Sequence, residues 1–302
     1  NQSLSSSVVV PKKKDIVERK GNAIWKQLQK IIPRIEGLLV KAGNGRDVGK
    51  SLRSPIALAL VKLFKKLPID IFESKLPRLL AVICDALKNK ESDVRDVARA
   101  TLSKIAASID VKYISDIVRE LAVTLKEGYQ LHVRSATLHS VILAISDVYE
   151  PPKNIAGNKA ISLPFDQCVP AMMDIIQQDI FGRASEMKEA ESSQKRVIRE
   201  AVGVRSYHSL ELISRTVLFR PSLLVTNSSS VEVITSGVHA LVTPFLHRLK
   251  DPEVDSRTIG KVKECMNKIV IGLSHNPSTS VEEVLPFVYA TISPFLSIKD
   301  SN

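Results

Sequence analysis

The sequence predicts an all-α fold, an α-solenoid of about five helical hairpins, and three observations carry that expectation. Apolar residues recur at the 3.6-residue helical period in nearly every long segment, and no segment sustains the alternation of a half-buried strand. The segments pair off in order, one apolar ladder following another after a polar break. A proline recurs at one place in the first member of the pairs: IIPRIEGLL from Ile31, KLPRLLAVI from Lys75, CVPAMMDII from Cys168 and VLPFVYATI from Val284, with Pro244 in LVTPFLHRL one residue later. The spacing is 44 residues from Pro33 to Pro77 and 42 from Pro244 to Pro286, the period of a stacked helical repeat. A single hairpin of this size cannot bury its apolar faces alone, so neighbours must stack on it.

Taken in order, residues 1–23 read as a basic, flexible lead-in. Residues 24–147 hold three hairpins: Ile24 to Ala42 with Leu52 to Leu67, Phe72 to Lys88 with Asp93 to Ser108, and Val111 to Lys126 with Gln130 to Ser146. Residues 148–164, with Pro151, Pro152, Gly157 and Pro164, read as a loop. Residues 165–302 hold two further hairpins, Asp166 to Ile180 with Lys195 to Leu218 and Val231 to Lys250 with Val254 to Leu273. Val281 to Leu296 then begins an incomplete one. Gly182 to Gln194 is polar, either a link or a short exposed helix. Residues 75–105 are the most complete unit and make the repeat HEAT-type: a proline, an apolar ladder, a polar turn, then Asp93-Val94-Arg95 opening a second helix with Ala98, Leu102 and Ile105 at helical spacing.

These patterns set local expectations. The recurrent prolines belong in first helical turns, where a missing N–H costs nothing, with Pro33 deeper and bending its helix. Arg95 and Arg134, matched in DVRDVARATL and HVRSATLHSV, are expected to tie neighbouring repeats through acidic side chains or carbonyls. Ala98, small amid large residues, marks a close inter-repeat contact. A first residue other than Met and a final half-hairpin read as an internal piece of a longer protein.

Composition narrows the function classes. With 44% hydrophobic and 25% charged residues the chain can pack a core, and no apolar run approaches the ~18 residues that cross a bilayer. Three dispersed cysteines, Cys84, Cys168 and Cys265, match neither a disulfide framework nor a zinc site and read as buried thiols. The six histidines contain no HExxH and no i, i+4 ligand pair, and no G-x-S-x-G is present. The string Gly43 to Ser51 imitates a phosphate loop, but the glycine required five positions before Gly49, with four residues between, is replaced by Asn44, and a helix is expected before it where a strand is needed. The sequence therefore nominates no catalytic residue, cofactor, metal, membrane or small-molecule substrate.

Charge is more telling. Residues 1–66 hold 15 Lys/Arg against 4 Asp/Glu, whereas the remaining 236 residues balance at 28 each, so the whole net charge of +11 sits at one end. On a helix from Ile24, residues Lys26, Lys30, Arg34 and Lys41 fall within an arc of about 80°, opposite Leu28, Ile31, Ile32, Ile35, Leu38 and Leu39. Lys62, Lys65 and Lys66 on the next helix extend this stripe. Such a row suits RNA phosphates, with backbone contact rather than base stacking because aromatics make up only 5% of the chain. A solvated helix face or a platform for an acidic protein explains the same residues.

Several strings are more specific than the repeat. RDVARATLSKIA from Arg95, GYQLHVRSATLHSVI from Gly128, DIFGRASEMKEAE from Asp179 and RSYHSLELI from Arg205 resemble the down-regulated-in-metastasis family over roughly residues 55–290. The resemblance implies a very large HEAT-repeat protein of the nucleolar small-subunit processome, linked to the box C/D guide particle. It implies a non-catalytic scaffold acting in pre-ribosomal RNA processing and maturation of small-subunit rRNA. Its partners would be processome assembly proteins and pre-ribosomal or small nucleolar RNA. The alternative from the repeat alone is a protein-only HEAT scaffold, such as a nuclear-transport-like or signalling adaptor.

Overall fold

A computed structural model describes residues 26–41, 51–149, 164–192, 199–201, 205–219, 222–226, 230–234 and 236–296. The first helix, α1, covers residues 26–37 and runs into a short ribbon, β1 (Val40–Lys41) with β2 (Ser51–Leu52). Helices α2 (Ser54–Phe64), α3 (Ile69–Ala86), α4 (Ser92–Ala106), α5 (Ile114–Thr124) and α6 (Gln130–Ser146) follow. Then come α7 (Pro164–Ile180), α8 (Arg183–Ser192), a 3-10 turn at Arg199–Ala201 and α9 (Arg205–Thr216). A second ribbon, β3 (Ser222–Thr226) with β4 (Ser230–Ile234), leads to α10 (Gly237–Leu249), α11 (Ser256–Ser274) and α12 (Val281–Leu296).

The helices stack in two layers. In one, α3, α5, α7 and α10 pack in succession; in the other, α2, α4, α6, α9 and α11 do. The layers are joined within hairpins by α3 on α4, α5 on α6, α7 on α9 and α10 on α11. One apolar core runs the length of the stack, with Ile83, Leu102, Ile117, Leu138, Ile213 and Phe245 all closed to solvent. This is the α-solenoid of hairpins that the periodicity predicts. Ala98 has no exposed surface, as its size suggests. Cys84, Cys168 and Cys265 are buried and outside any disulfide, and burial pushes the thiols of Cys168 and Cys265 up to about 12, which keeps them protonated.

Two local expectations are corrected and one pair of alternatives is decided. The recurrent prolines are not in first turns: Pro77, Pro170 and Pro244 lie inside α3, α7 and α10. An interior proline removes one backbone donor and bends the helix, and Pro33, Pro77, Pro170 and Pro286 are all exposed, where water can satisfy the carbonyl left behind. The structure also contains sheet, in the form of two antiparallel ribbons. Val40 pairs with Leu52, and Leu223, Leu224 and Val225 pair with Val233, Glu232 and Val231. Residues 230–234 are strand and not the start of a helix, because the β-branched alternation of Val231 and Val233 opposite Leu223 and Val225 suits a pleated pair. Finally, α8 resolves the 182–194 alternatives as a short helix that packs on α7.

Where the second half is held together, close approach replaces bulk. A Cβ on Gly272 of α11 would lie 2.3 Å from the Glu211 carbonyl oxygen and 2.5 Å from Ser214 Cβ on α9, so only glycine lets these helices meet as they do. Asn276, just past α11, donates to the carbonyls of Ser214 at 2.8 Å and Val217 at 2.7 Å. Asp166 of α7 accepts from the Leu218 N–H at 3.0 Å, and Ser135 of α6 donates to Asp179 of α7 at 2.9 Å. The lead-in 1–23, most of the 148–164 loop and the remainder of the Gly43 to Ser51 string up to residue 50 lie outside the described residues.

Candidate nucleic-acid interface

The basic ridge begins on α1. Ile32 is fully buried, and Leu28 and Ile35 pack against the core from the same side. That anchoring turns Lys26, Lys30 and Arg34, each one turn further along, to the exposed side. Ile31 and Leu38 do not join the buried side as the wheel suggests; they are 48% and 53% exposed.

Lys41 does not belong to the ridge. The helix ends at residue 37, the Leu38 N–H turns back to the Ile35 carbonyl at 3.0 Å, and Lys41 falls in β1. Gly37 explains the stop, since a glycine at the end of a helix costs backbone entropy to keep helical. The imitation phosphate loop is therefore flanked by strands on both sides. It leads into β2 and not directly into a helix, which a phosphate cradle on a helix N-terminus requires.

Lys62, Lys65 and Lys66 are exposed at the C-terminal end of α2, where cations complement the helix dipole. Lys65 already donates to the Ser108 carbonyl beyond α4, so part of its charge serves the stack. Two cations overlooked in the sequence join this edge. Lys104 occupies the last turn of α4, and Lys112 bonds Glu73 at 3.0 Å while lying 4.5 Å from the centre of the Tyr113 ring. Glu73 is held below the ordinary carboxylate range, chiefly by its hydrogen bonds from Lys112 and Tyr113. A cavity of about 270 Å³ lies between Lys65 and Lys112, floored by Phe72 and Tyr113. These positions were missed because Lys104 and Lys112 lie outside the region of excess charge and reach Lys65 only through stacking.

The remaining polar groups hold the stack together. Arg95 reaches Glu200 with two hydrogen bonds of 2.7 Å and the carbonyls of Asn89 and Lys90 at 3.0 and 2.8 Å. Arg134 donates to the Leu125 carbonyl at 3.3 Å. Arg95 thus ties its repeat to another through an acidic side chain, as expected, whereas the Arg134 bond stays within its own hairpin, between the end of α5 and α6. His139 packs on His208 with ring centres 5.0 Å apart and contacts Ser209 at 3.1 Å. Burial, with the charges of His208 and Arg205, pushes His139 down to about 4, so it is neutral near pH 7. Among the described residues no three His, Cys, Asp or Glu side chains gather as a metal site, and no helix is long and apolar enough to cross a membrane.

Comparison with known proteins agrees with the residue strings singled out above. The chain is 27% identical over 261 residues to U3 small nucleolar RNA-associated protein 20 of Saccharomyces cerevisiae, covering 86% of this chain and 9% of that protein. It is 29% identical over 239 residues to the protein of the same name in Schizosaccharomyces pombe, covering 79% of this chain and 8% of that one. The chain thus spans less than a tenth of the length of these relatives. Residues 44–292 match the model of the U3 small nucleolar RNA-associated protein 20 domain, and the chain belongs to that family.

Proposed function

We propose that this segment is a structural scaffold of the small-subunit processome, acting in nucleolar pre-ribosomal RNA processing by holding RNA and assembly proteins. Membership of a family whose relatives are named for association with U3 small nucleolar RNA is the observation that carries this reading. Its physical support is a rigid two-layer stack with its excess positive charge gathered at one end. In this reading Lys26, Lys30 and Arg34 meet successive phosphates of structured RNA, and Lys62, Lys65 and Lys66 continue the contact. Phosphate contacts carry no base code, so the segment positions RNA without selecting its sequence.

The test is the salt dependence of binding to a U3-derived RNA duplex, followed by fluorescence anisotropy. Each neutralised phosphate adds about 0.9 to the log–log slope, so changing Lys26, Lys30 and Arg34 together to Gln flattens it by about 2 to 3 units. The matched control changes Arg78, Lys126 and Lys263, three exposed cations from the charge-balanced part of the chain. Lys261 is unsuitable there because it bonds the Ile180 carbonyl at 3.0 Å and Ser185 at 2.8 Å. Equal slopes for the two triple variants would remove RNA from this surface and leave a scaffold that binds only proteins.

A further inference from the structure

In a solenoid each repeat ordinarily touches its immediate neighbours, and curvature is the sum of small, independently adjustable rotations. One feature of this stack departs from that rule. The 3-10 turn Arg199–Ala201, which precedes α9 in the fourth hairpin, packs on α6 of the third and bonds α4 of the second. Glu200 accepts from Nε and Nη2 of Arg95, each at 2.7 Å, and from Nη2 of Arg99 at 2.9 Å. Arg199 reaches Asp96 at 3.1 Å, and Asp96 in turn holds Arg99. Tyr129, at the start of α6, lies beneath Arg95 with 5.8 Å from guanidinium to ring centre. Glu200 and Arg95 are 4% and 5% exposed, so the carboxylate is clamped between two arginines out of water, 105 residues away in sequence.

We propose that residues 199–201 form a brace that skips one hairpin and fixes the angle between the second and fourth hairpins. The stretch from α3 to α9 then moves as a single curved block, while α10 to α12 keep the ordinary freedom of stacked repeats. Three features favour a brace over a passive loop. The bonds are bidentate and charge-assisted, which sets direction as well as distance. The bonds to Glu200 are buried, so salt screens them little. They join the same ends of α4, α6 and α9, so a change in the α4–α9 angle must lengthen them. This inference concerns the mechanics of the stack and stands whether or not the basic ridge binds RNA.

The experiment measures the angle directly. Spin labels are placed on Cys introduced at Lys104 of α4 and Ala171 of α7, both exposed, and the distance distribution is recorded by double electron–electron resonance. A second pair, Ala171 with Asn267 of α11, reports a step outside the brace; the three native cysteines are buried and escape labelling. Glu200→Gln should broaden the 104–171 distribution about twofold or more and leave the 171–267 distribution unchanged. Since Glu200→Gln leaves Arg95 buried without a counter-charge and Arg99 with Asp96 only, the measurement is repeated with Arg95, Arg99 and Glu200 all changed to Gln. Unchanged widths in both variants overturn the brace. Equal broadening of both pairs, or global unfolding of both variants, overturns it too, because the proposal has the hairpins persist when the brace is released.

Discussion

The first part of the stack and the part after residue 164 solve the same packing problem by different means. Between residues 51 and 125 the buried polar or charged residues are Arg95 and Thr101, and everything else closed to solvent there is apolar. Between residues 164 and 219 Asp166, Asp179, Ser185, Glu200, Ser206, Ser209, Glu211, Ser214 and Thr216 are all buried among the described residues. The first region follows the repeat closely and needs only complementary apolar faces. The second has a long insertion between α7 and α9, whose described residues Ser185 and Glu200 are held by bonds to Lys261 and Arg95. Apolar faces tolerate some sliding, whereas a buried carboxylate accepts few positions, so the irregular region is held by directional contacts. The two regions meet at Arg95, the repeat's own arginine, whose partner comes from the insertion.

The largest expected effect lies at that junction. Glu200→Ala leaves Arg95 buried without its counter-charge and should cost about 3–5 kcal/mol in urea denaturation. A loss under about 1 kcal/mol would show that water takes over the carboxylate's role and that the two regions do not differ as described. Next come the two close contacts, one in each region. Ala98→Leu and Gly272→Ala should each cost about 1–3 kcal/mol by overpacking. Equal costs would mean that α4 and α11 are equally tight despite their different surroundings, whereas no change at Gly272 would show that α9 and α11 can separate freely.

Acid should reveal two carboxyls with opposite signs. Burial alone would raise the Glu200 carboxyl, but the hydrogen bonds and charge of Arg95, with Arg99, hold it at about 2. Its contribution is therefore complete above the ordinary Glu value of about 4.3 and is lost as pH falls through about 2. Asp166 runs the other way: burial outweighs its bond from the Leu218 N–H and raises it to about 6. Its contribution is complete below the ordinary Asp value of about 3.9 and is lost as pH rises through about 6. Relative to wild type, Asp166→Asn should gain stability as pH rises from 4 to 7, and Glu200→Gln should lose its disadvantage as pH falls from 4 to 2. Denaturation midpoints across pH check both, and parallel curves would refute the assignment.

The smallest effect is expected at the surface. Lys112 and Glu73 are 40% and 49% exposed, so Glu73→Ala should leave the urea denaturation midpoint almost unchanged, and the more so in high salt. A loss comparable with that of Glu200→Ala would show that exposure does not separate the two ion pairs.

The hairpin order, the closed Ala98, the buried thiols and the family were legible in the sequence. Each depends on spacing within about two helical turns, or on strings long enough to be specific. Of the candidate interface, Lys26, Lys30, Arg34, Lys62, Lys65 and Lys66 were legible as cations on helices, because one buried face dictates the opposite one. The displacement of Lys41 into β1 was not, because a helical wheel continues past Gly37 whether or not the backbone does. The β3–β4 ribbon was hidden for a related reason: short apolar runs such as Leu223 to Val225 fit either period, and pairing across the turn decides between them.

By itself, then, the sequence determined that this chain is a stack of helical hairpins, which faces of most helices are buried, and that its positive charge lies at one end. Those properties follow from local periodicity and composition, which act over a few residues. Only the tertiary structure decided that Glu200 is the partner of Arg95, that Lys104 and Lys112 join Lys65 at one edge, and that Gly272 must be glycine. Each of these depends on how repeats are stacked. A rotation of a few degrees per repeat, invisible in the sequence, determines which groups come within hydrogen-bond reach across 39 or 105 residues.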